Sequence, residues 1–264
     1  MFTTAYPATM SRRYDADFDA IYGGPDRGDI AFFVGLAGET SGSICEIGAG
    51  TGRVLFPVAH ADPGRAVTAI EPSEAMRQCF EQNLHRDHPA LVGRIALQAG
   101  SFQDIPLSDA SQGYVFGAFR SFQHVLTVED QLRALAEMKR VTQPGGLIAF
   151  DLFDPDYATL QTTEARCVAV AQGADGRVIE RWDAFRIDRV AQLAHLHFRW
   201  IERDRDGAIV AIENDGYTVR YTFPQELLHL LARAGFEDVQ LLGGHDRRPL
   251  GEVPDELIVL ARVP

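Results

Sequence analysis

The fold is read from Ile44-Cys45-Glu46-Ile47-Gly48-Ala49-Gly50-Thr51-Gly52-Arg53. Ile44 to Ile47 suit a short buried strand, and Gly48, Gly50 and Gly52 then make a tight turn. The apolar spacing of Val54, Leu55, Val58 and Ala59 begins a helix. Such a turn brings backbone N–H groups to a ligand with no Cβ in the way. Strand, glycine turn and helix, in that order, form the nucleotide-cofactor half of an open α/β sheet. The next strand, Ala66 to Ile70, ends at Glu71. A carboxylate some twenty residues past the turn is placed to accept both hydroxyls of a ribose. The dinucleotide pattern G-x-G-x-x-G needs glycine at 53 if started at Gly48, or at 55 if started at Gly50. Arg53 and Leu55 stand there, so a pyrophosphate cradle is not supported.

Glu46 to Arg53 resembles the first motif of the class I S-adenosylmethionine-dependent methyltransferases, and Ala69-Ile70-Glu71-Pro72-Ser73-Glu74-Ala75-Met76 resembles their second. A third similarity lies in Gln98 to Leu107, where many members carry an acidic residue after the glycine and this chain has Ser101. The resemblance spans most of residues 12–155 and 223–262. It implies an α/β, Rossmann-like seven-stranded sheet with the last strand antiparallel. It also implies S-adenosylmethionine as cofactor, with methyl transfer to an N or O nucleophile of a small molecule. The implied cofactor contacts are Glu46, Gly48, Ala49, Gly50, Glu71 and Pro72, with Met76 over the adenine or as core filling. Ser101, Phe102 and Gln103 stand at the adenine edge, and Arg53 or Arg13 at the methionine carboxylate.

Strands and helices alternate from 44 to 152, as parallel strands joined by right-handed crossovers require. Strands are expected at 44–47, 66–70, 94–99, 113–118 and 147–152, with Pro144-Gly145-Gly146 as the turn into the fifth. After Pro155 the pattern changes to period two over 165–171, 177–190, 193–204 and 208–222, broken at Gly173-Ala174-Asp175-Gly176 and Asp204-Arg205-Asp206-Gly207. These turns read as antiparallel hairpins, hence an inserted antiparallel β subdomain. In its third segment Leu196, Phe198 and Trp200 share one face. The expected units are an N-terminal lid segment 1–28, a cofactor-binding domain 29–163, the insert 164–222, and a C-terminal completion 223–264.

Residues 1–28 carry Phe2, Tyr6, Tyr14, Phe18 and Tyr22. In the resembled family such a segment folds over the cofactor, which makes Tyr14 and Tyr22 candidates for touching cofactor or acceptor. Strand four runs out into Ala118-Phe119-Arg120-Ser121-Phe122-Gln123-His124. Ligands in open sheets lie beyond the carboxyl ends of the strands, so this loop borders the transfer site. Phe119 is the candidate to sit by the cofactor there, and Arg120, His124 and Tyr14 are the candidates for catalysis. Imidazole titrates near neutrality, so His124 is either a base for a hydroxyl acceptor or a structural histidine.

With 37 acidic and 25 basic residues the formal charge is −12, and Lys139 is the sole lysine. This balance disfavours nucleic acid as partner. The three cysteines, Cys45, Cys79 and Cys167, have no metal-like spacing and suit a reducing compartment. His195 and His197 share a strand face with no third ligand to name, so no metal is expected. With no long apolar run and no secretion signal, a cytoplasmic location and no membrane partner are expected. The inserted sheet is compatible with a homodimer. Two alternatives stand beside methyl transfer: a non-catalytic protein that retains the cofactor, and an NAD-dependent oxidoreductase.

Overall fold

The computed structural model describes residues 8–24, 26–153, 160–173, 175–251 and 256–264. Phe2, Tyr6, Pro155 and Ala174 lie outside the described residues. Helices α1 (Ala8–Tyr22) and α2 (Asp29–Gly38) lead into β1 (Ser43–Ile47), α3 (Leu55–Ala61), β2 (Val67–Ile70), α4 (Glu74–Asp87) and β3 (Ile95–Gln98). They are followed by β4 (Gln112–Gly117), α5 (Val128–Val141) and β5 (Thr142–Leu152). After the insert, α6 (Pro224–Arg233), β10 (Val239–Leu242) and β11 (Leu257–Arg262) complete the main sheet. Its order is β10-β11-β5-β4-β1-β2-β3. β1 pairs parallel with β2 and β4, whereas β11 runs antiparallel to both β5 and β10.

Local chemistry sets the element ends. The Ser73 hydroxyl accepts the Met76 N–H at 3.4 Å and opens α4. Thr127 does the same for Asp130 at 3.0 Å and opens α5. Pro224 fixes the first turn of α6, and Gly235, at φ 80°, ends it. Two apolar layers hold the sheet. One packs Leu135, Met138 and Leu231 under Ile148 and Phe150; the other packs Phe33, Leu55 and Phe80 over Ile44 and Phe116.

Pro144-Gly145-Gly146 differs from the expected turn. It lies inside β5, where the pairing with β4 jumps from Gln112↔Thr142 to Tyr114↔Leu147. The strand bulges there, and the Gly145 N–H donates to the Val263 carbonyl at 2.8 Å.

The insert is a separate four-stranded antiparallel sheet, β6 (Arg166–Gln172), β7 (Val178–Asp188), β8 (Leu193–Arg203) and β9 (Ile209–Arg220). Phe198 and Trp200 of β8 are buried with Met10 of α1, which makes α1 the element between insert and main sheet. The Trp200 indole N–H donates to Asp17 Oδ2 at 2.8 Å, and Arg181 Nη1 reaches the same oxygen at 3.1 Å. Outward on β8, His195 Nδ1 lies 2.9 Å from the Thr218 hydroxyl.

Candidate cofactor and acceptor site

A cavity of about 650 Å³ opens beyond the carboxyl ends of β1, β2 and β4, where the strand order reverses. Gly48 and Gly50 form its floor. Gly48 has φ 75°, and a Cβ on it would meet Ser121 Cβ at 2.7 Å. Gly50 has φ 55°, and a Cβ on it would meet nothing within 4 Å, because that side is open cavity.

Glu71 stitches this floor to the second motif. Its Oε2 accepts the Gly50 N–H at 2.9 Å and its Oε1 the Ser73 N–H at 2.8 Å. Burial pushes its carboxyl upward, opposed by those two N–H groups and by Arg77. A carboxylate has about four lone-pair sites, so capacity for a diol remains. Glu46, 2% exposed, also lines the cavity, and its Oε2 has no hydrogen-bond partner among the described residues. Burial drives its carboxyl well up, against the pull of Arg53. An orphaned buried acceptor beside an open glycine cradle and a diol-ready carboxylate fits the ammonium and ribose ends of S-adenosylmethionine.

Arg53, expected at the methionine carboxylate, borders this cavity with its guanidinium paired to a carboxylate of the protein itself. It forks onto Asp29, which is fully buried, with Nη1–Oδ1 at 3.0 Å and Nη2–Oδ2 at 2.6 Å. Its guanidinium also lies 4.2 Å from the Phe18 ring centroid. Burial alone would raise the Asp29 carboxyl; the hydrogen bonds and charge of Arg53 outweigh it and leave the group below its ordinary value. Tyr14 hydrogen-bonds Arg53, and burial pushes its phenol up.

Ala49, Pro72, Met76, Ser101, Phe102 and Gln103 all border this cavity, as do Tyr14, Arg53 and Phe119. Ser101 and Asp104 exchange backbone hydrogen bonds at 3.1 and 3.2 Å, a tight turn that fixes the segment where an acidic residue is absent. Two expected contacts lie elsewhere. Tyr22, 41% exposed, stands at a second cavity with the Arg27 guanidinium 4.9 Å over its ring. Arg13 pairs with Glu213 at 2.7 Å, because α1 turns that side toward the insert.

The second cavity, about 360 Å³, lies between α1, the 119–124 loop and the inner face of the insert. Tyr14, Phe119 and His124 line both cavities and so mark their junction. Arg120 borders only the second and is tied to Glu256 at 2.8 Å. Burial lowers His124 to about 4, so its imidazole is neutral near pH 7. Its ring centroid is 5.0 Å from that of Tyr217.

Tyr217, Arg181, Asp183 and Phe185 of the insert also face this space. Reading the sequence missed them. The one available signal was the strand register, since Tyr217 is opposite Leu196 on the face already identified as apolar. Among the described residues no group of three or more His, Cys, Asp or Glu is placed to hold a metal ion. No helix among them is long and apolar enough to cross a membrane.

This sheet order with its reversed last strand, and a cavity floored by Glu46 to Gly50, define the class I S-adenosylmethionine-dependent methyltransferase fold. Residues 44–146 match the sequence model of the methyltransferase domain family. The chain spans about half the length of the curated relatives it matches. One is an uncharacterised methyltransferase of Staphylococcus carnosus, 34% identical over 116 residues, 44% of this chain and 50% of that protein. Among solved structures, the CcbJ methyltransferase of Streptomyces caelestis is 23% identical, with a TM-score of 0.76 over 98% of this chain and 99% of that one. CalS10 of Micromonospora echinaspora, an amino pentose methyltransferase solved with S-adenosylmethionine bound, is 18% identical, with a TM-score of 0.70 over the whole of both chains.

Proposed function

We propose that this protein transfers a methyl group from S-adenosylmethionine to a nitrogen or oxygen nucleophile of a small molecule. The observation that carries the reading is the meeting of two cavities at Tyr14, Phe119 and His124. A cofactor held over Gly48 and Gly50 supplies a methyl group already activated by a sulfonium. The residues of this chain have to align an acceptor with it and keep water out. Phe119 and the α1 rings it touches, Tyr14 at 6.3 Å and Phe18 at 5.0 Å, supply an apolar wall at the junction.

Nitrogen is the better-supported acceptor. A neutral amine carries its own lone pair and needs no base, whereas His124, lowered to about 4, is a weak base for a hydroxyl. The description of CalS10 as an amino pentose methyltransferase is consistent with a nitrogen acceptor. The oxidoreductase alternative finds no support in the turn, where Arg53 is committed to Asp29 and Leu55 is fully buried.

Calorimetric titration with S-adenosylhomocysteine tests the cofactor half, and saturable binding is expected. Release of S-adenosylhomocysteine during incubation with amine and alcohol acceptors tests the transfer half. Binding without release on any acceptor would favour a protein that only retains the cofactor.

A further inference from the structure

The wall between the two cavities stands on a strained turn. Phe119 has φ 52° and Arg120 φ 65°, a left-handed pair in which neither residue is glycine. Side chains larger than Asn or Asp rarely occupy this region, and they stay there only when surrounding contacts enforce it. Here the enforcing contact is visible. Asp151, fully buried at the end of β5, accepts the Arg120 backbone N–H on Oδ1 at 2.9 Å. Its Oδ2 faces His245 Nε2 at 3.4 Å, and neither atom has a hydrogen-bond partner among the described residues. His245 is wedged edge-on against Phe32, with ring centroids 5.4 Å apart.

The turn's product is the placement of Phe119. That ring meets Tyr14, Phe18 and Tyr22 of α1 edge-on at 6.3, 5.0 and 6.0 Å, and two guanidiniums, of Arg27 and Arg53, each lie 5.3 Å from its centroid. One ring therefore closes the acceptor side of the cofactor cavity and anchors α1 above it. Were the turn to relax to negative φ, the ring would leave all five partners.

We propose that Asp151 is a positioning residue for methyl transfer. Its carboxylate holds Phe119–Arg120 in the left-handed conformation that stands the Phe119 ring between cofactor and acceptor. Asp151 borders neither cavity. It acts through the backbone of the turn, in support of the cofactor site described above.

The test is a double-mutant cycle read by S-adenosylhomocysteine affinity, with thermal melting to confirm folding. Asp151→Ala removes the acceptor and is expected to weaken binding on the order of tenfold, the scale of one enforced left-handed residue. Arg120→Gly occupies that conformation without strain. In its background the same Asp151→Ala change is expected to cost less than about threefold. Asp151→Asn keeps an oxygen acceptor and should stay near wild type, and His245→Ala should weaken binding less than Asp151→Ala. Equal losses from Asp151→Ala in both backgrounds, or no loss in either, would overturn the proposal.

Should Asp151→Ala fail to fold, amide hydrogen exchange on the wild-type protein decides. The Arg120 amide is expected to exchange about a hundredfold slower than an open turn amide, and fast exchange would overturn the assignment. A wild-type protein that binds no S-adenosylhomocysteine would instead count against the cofactor reading, and the exchange experiment would still decide the role of Asp151.

Discussion

The two cavities sit side by side, yet different kinds of residue build them. The floor of the first cavity comes from three short runs, 46–53, 71–76 and 101–103, in which turn geometry and capping are set by neighbours in sequence, while Tyr14, Phe119 and His124 close its far side. The second cavity is lined by side chains that meet only after folding, such as Phe18 of α1 and Tyr217 of the insert. The first is a backbone cradle with buried carboxylates beneath it. The second is a set of rings and ion pairs clamped between α1 and the insert. On the proposed function, cofactor affinity and acceptor recognition would rest on separable supports, and mutations can be chosen to test that separation.

The largest effect is expected beneath the cradle. Arg53→Ala leaves Asp29, fully buried, without its cation. Breaking one partner from such a pair costs about 3–5 kcal/mol of stability. The matching cut on the insert side, Arg13→Ala, removes a partly exposed pair with Glu213 and should cost about 0–1 kcal/mol. Urea unfolding of both variants measures the contrast, and similar losses would break it.

Glu71→Ala comes next. It strands the Gly50 and Ser73 N–H groups and removes the candidate ribose acceptor. S-adenosylhomocysteine should bind about ten- to a hundredfold more weakly, as expected when one or two buried hydrogen bonds are lost. Wild-type affinity in a folded variant, measured by calorimetry, would reject the assignment.

Asp17→Ala sharpens the comparison from the other side. Trp200 Nε1 and Arg181 Nη1 both lose their shared oxygen, so the clamp between α1 and the insert loosens. A stability loss of about 1–2 kcal/mol is expected. S-adenosylhomocysteine affinity should stay within about threefold of wild type, since a contact beyond the cofactor cradle adds independently of it. An affinity loss as large as that of Glu71→Ala would show that the two supports are one.

The same division explains how much of the molecule was legible in sequence. The alternating strands from 44 to 152, the four period-two strands, the Ser73 cap and Gly235 all follow from periodicity and turn chemistry acting over a few residues, while the seven-strand count with its reversed last strand came with the family resemblance. Gly48, Gly50 and Glu71 were singled out by the same local chemistry and Glu46 by the motif resemblance, and all four line the first cavity. The bulge at Pro144-Gly145-Gly146 was not, because it answers to the register with β4 and to Val263. Arg53 read as a carboxylate-binding residue for the cofactor because nothing in 44–53 announces Asp29 beneath it. Tyr22 was a candidate for cofactor or acceptor through the resemblance of its segment to a lid, and the pitch of α1 carries it to the second cavity. Asp151 gave no signal at all: its role exists only through the φ angles of two residues on another strand's exit loop.

The smallest effect tests what kind of group joins the two regions. His124 has about 4 in the folded protein against an ordinary value of 6.5, with burial as the cause. A depressed value means that the folded state binds fewer protons than the unfolded chain between these limits. Stability from this group is therefore complete above pH 6.5 and is lost as pH falls toward 4. At pH 6 the loss relative to pH 8 comes to roughly 1 kcal/mol from this residue. His124→Gln should flatten that part of the curve while the remaining histidines contribute equally to both proteins, so the difference between the two urea-unfolding profiles isolates it. Coincident profiles from pH 8 to pH 5 would mean that the imidazole is solvated rather than enclosed. The argument for an amine acceptor, which rests on His124 being a weak base at the cavity junction, would then lose its footing.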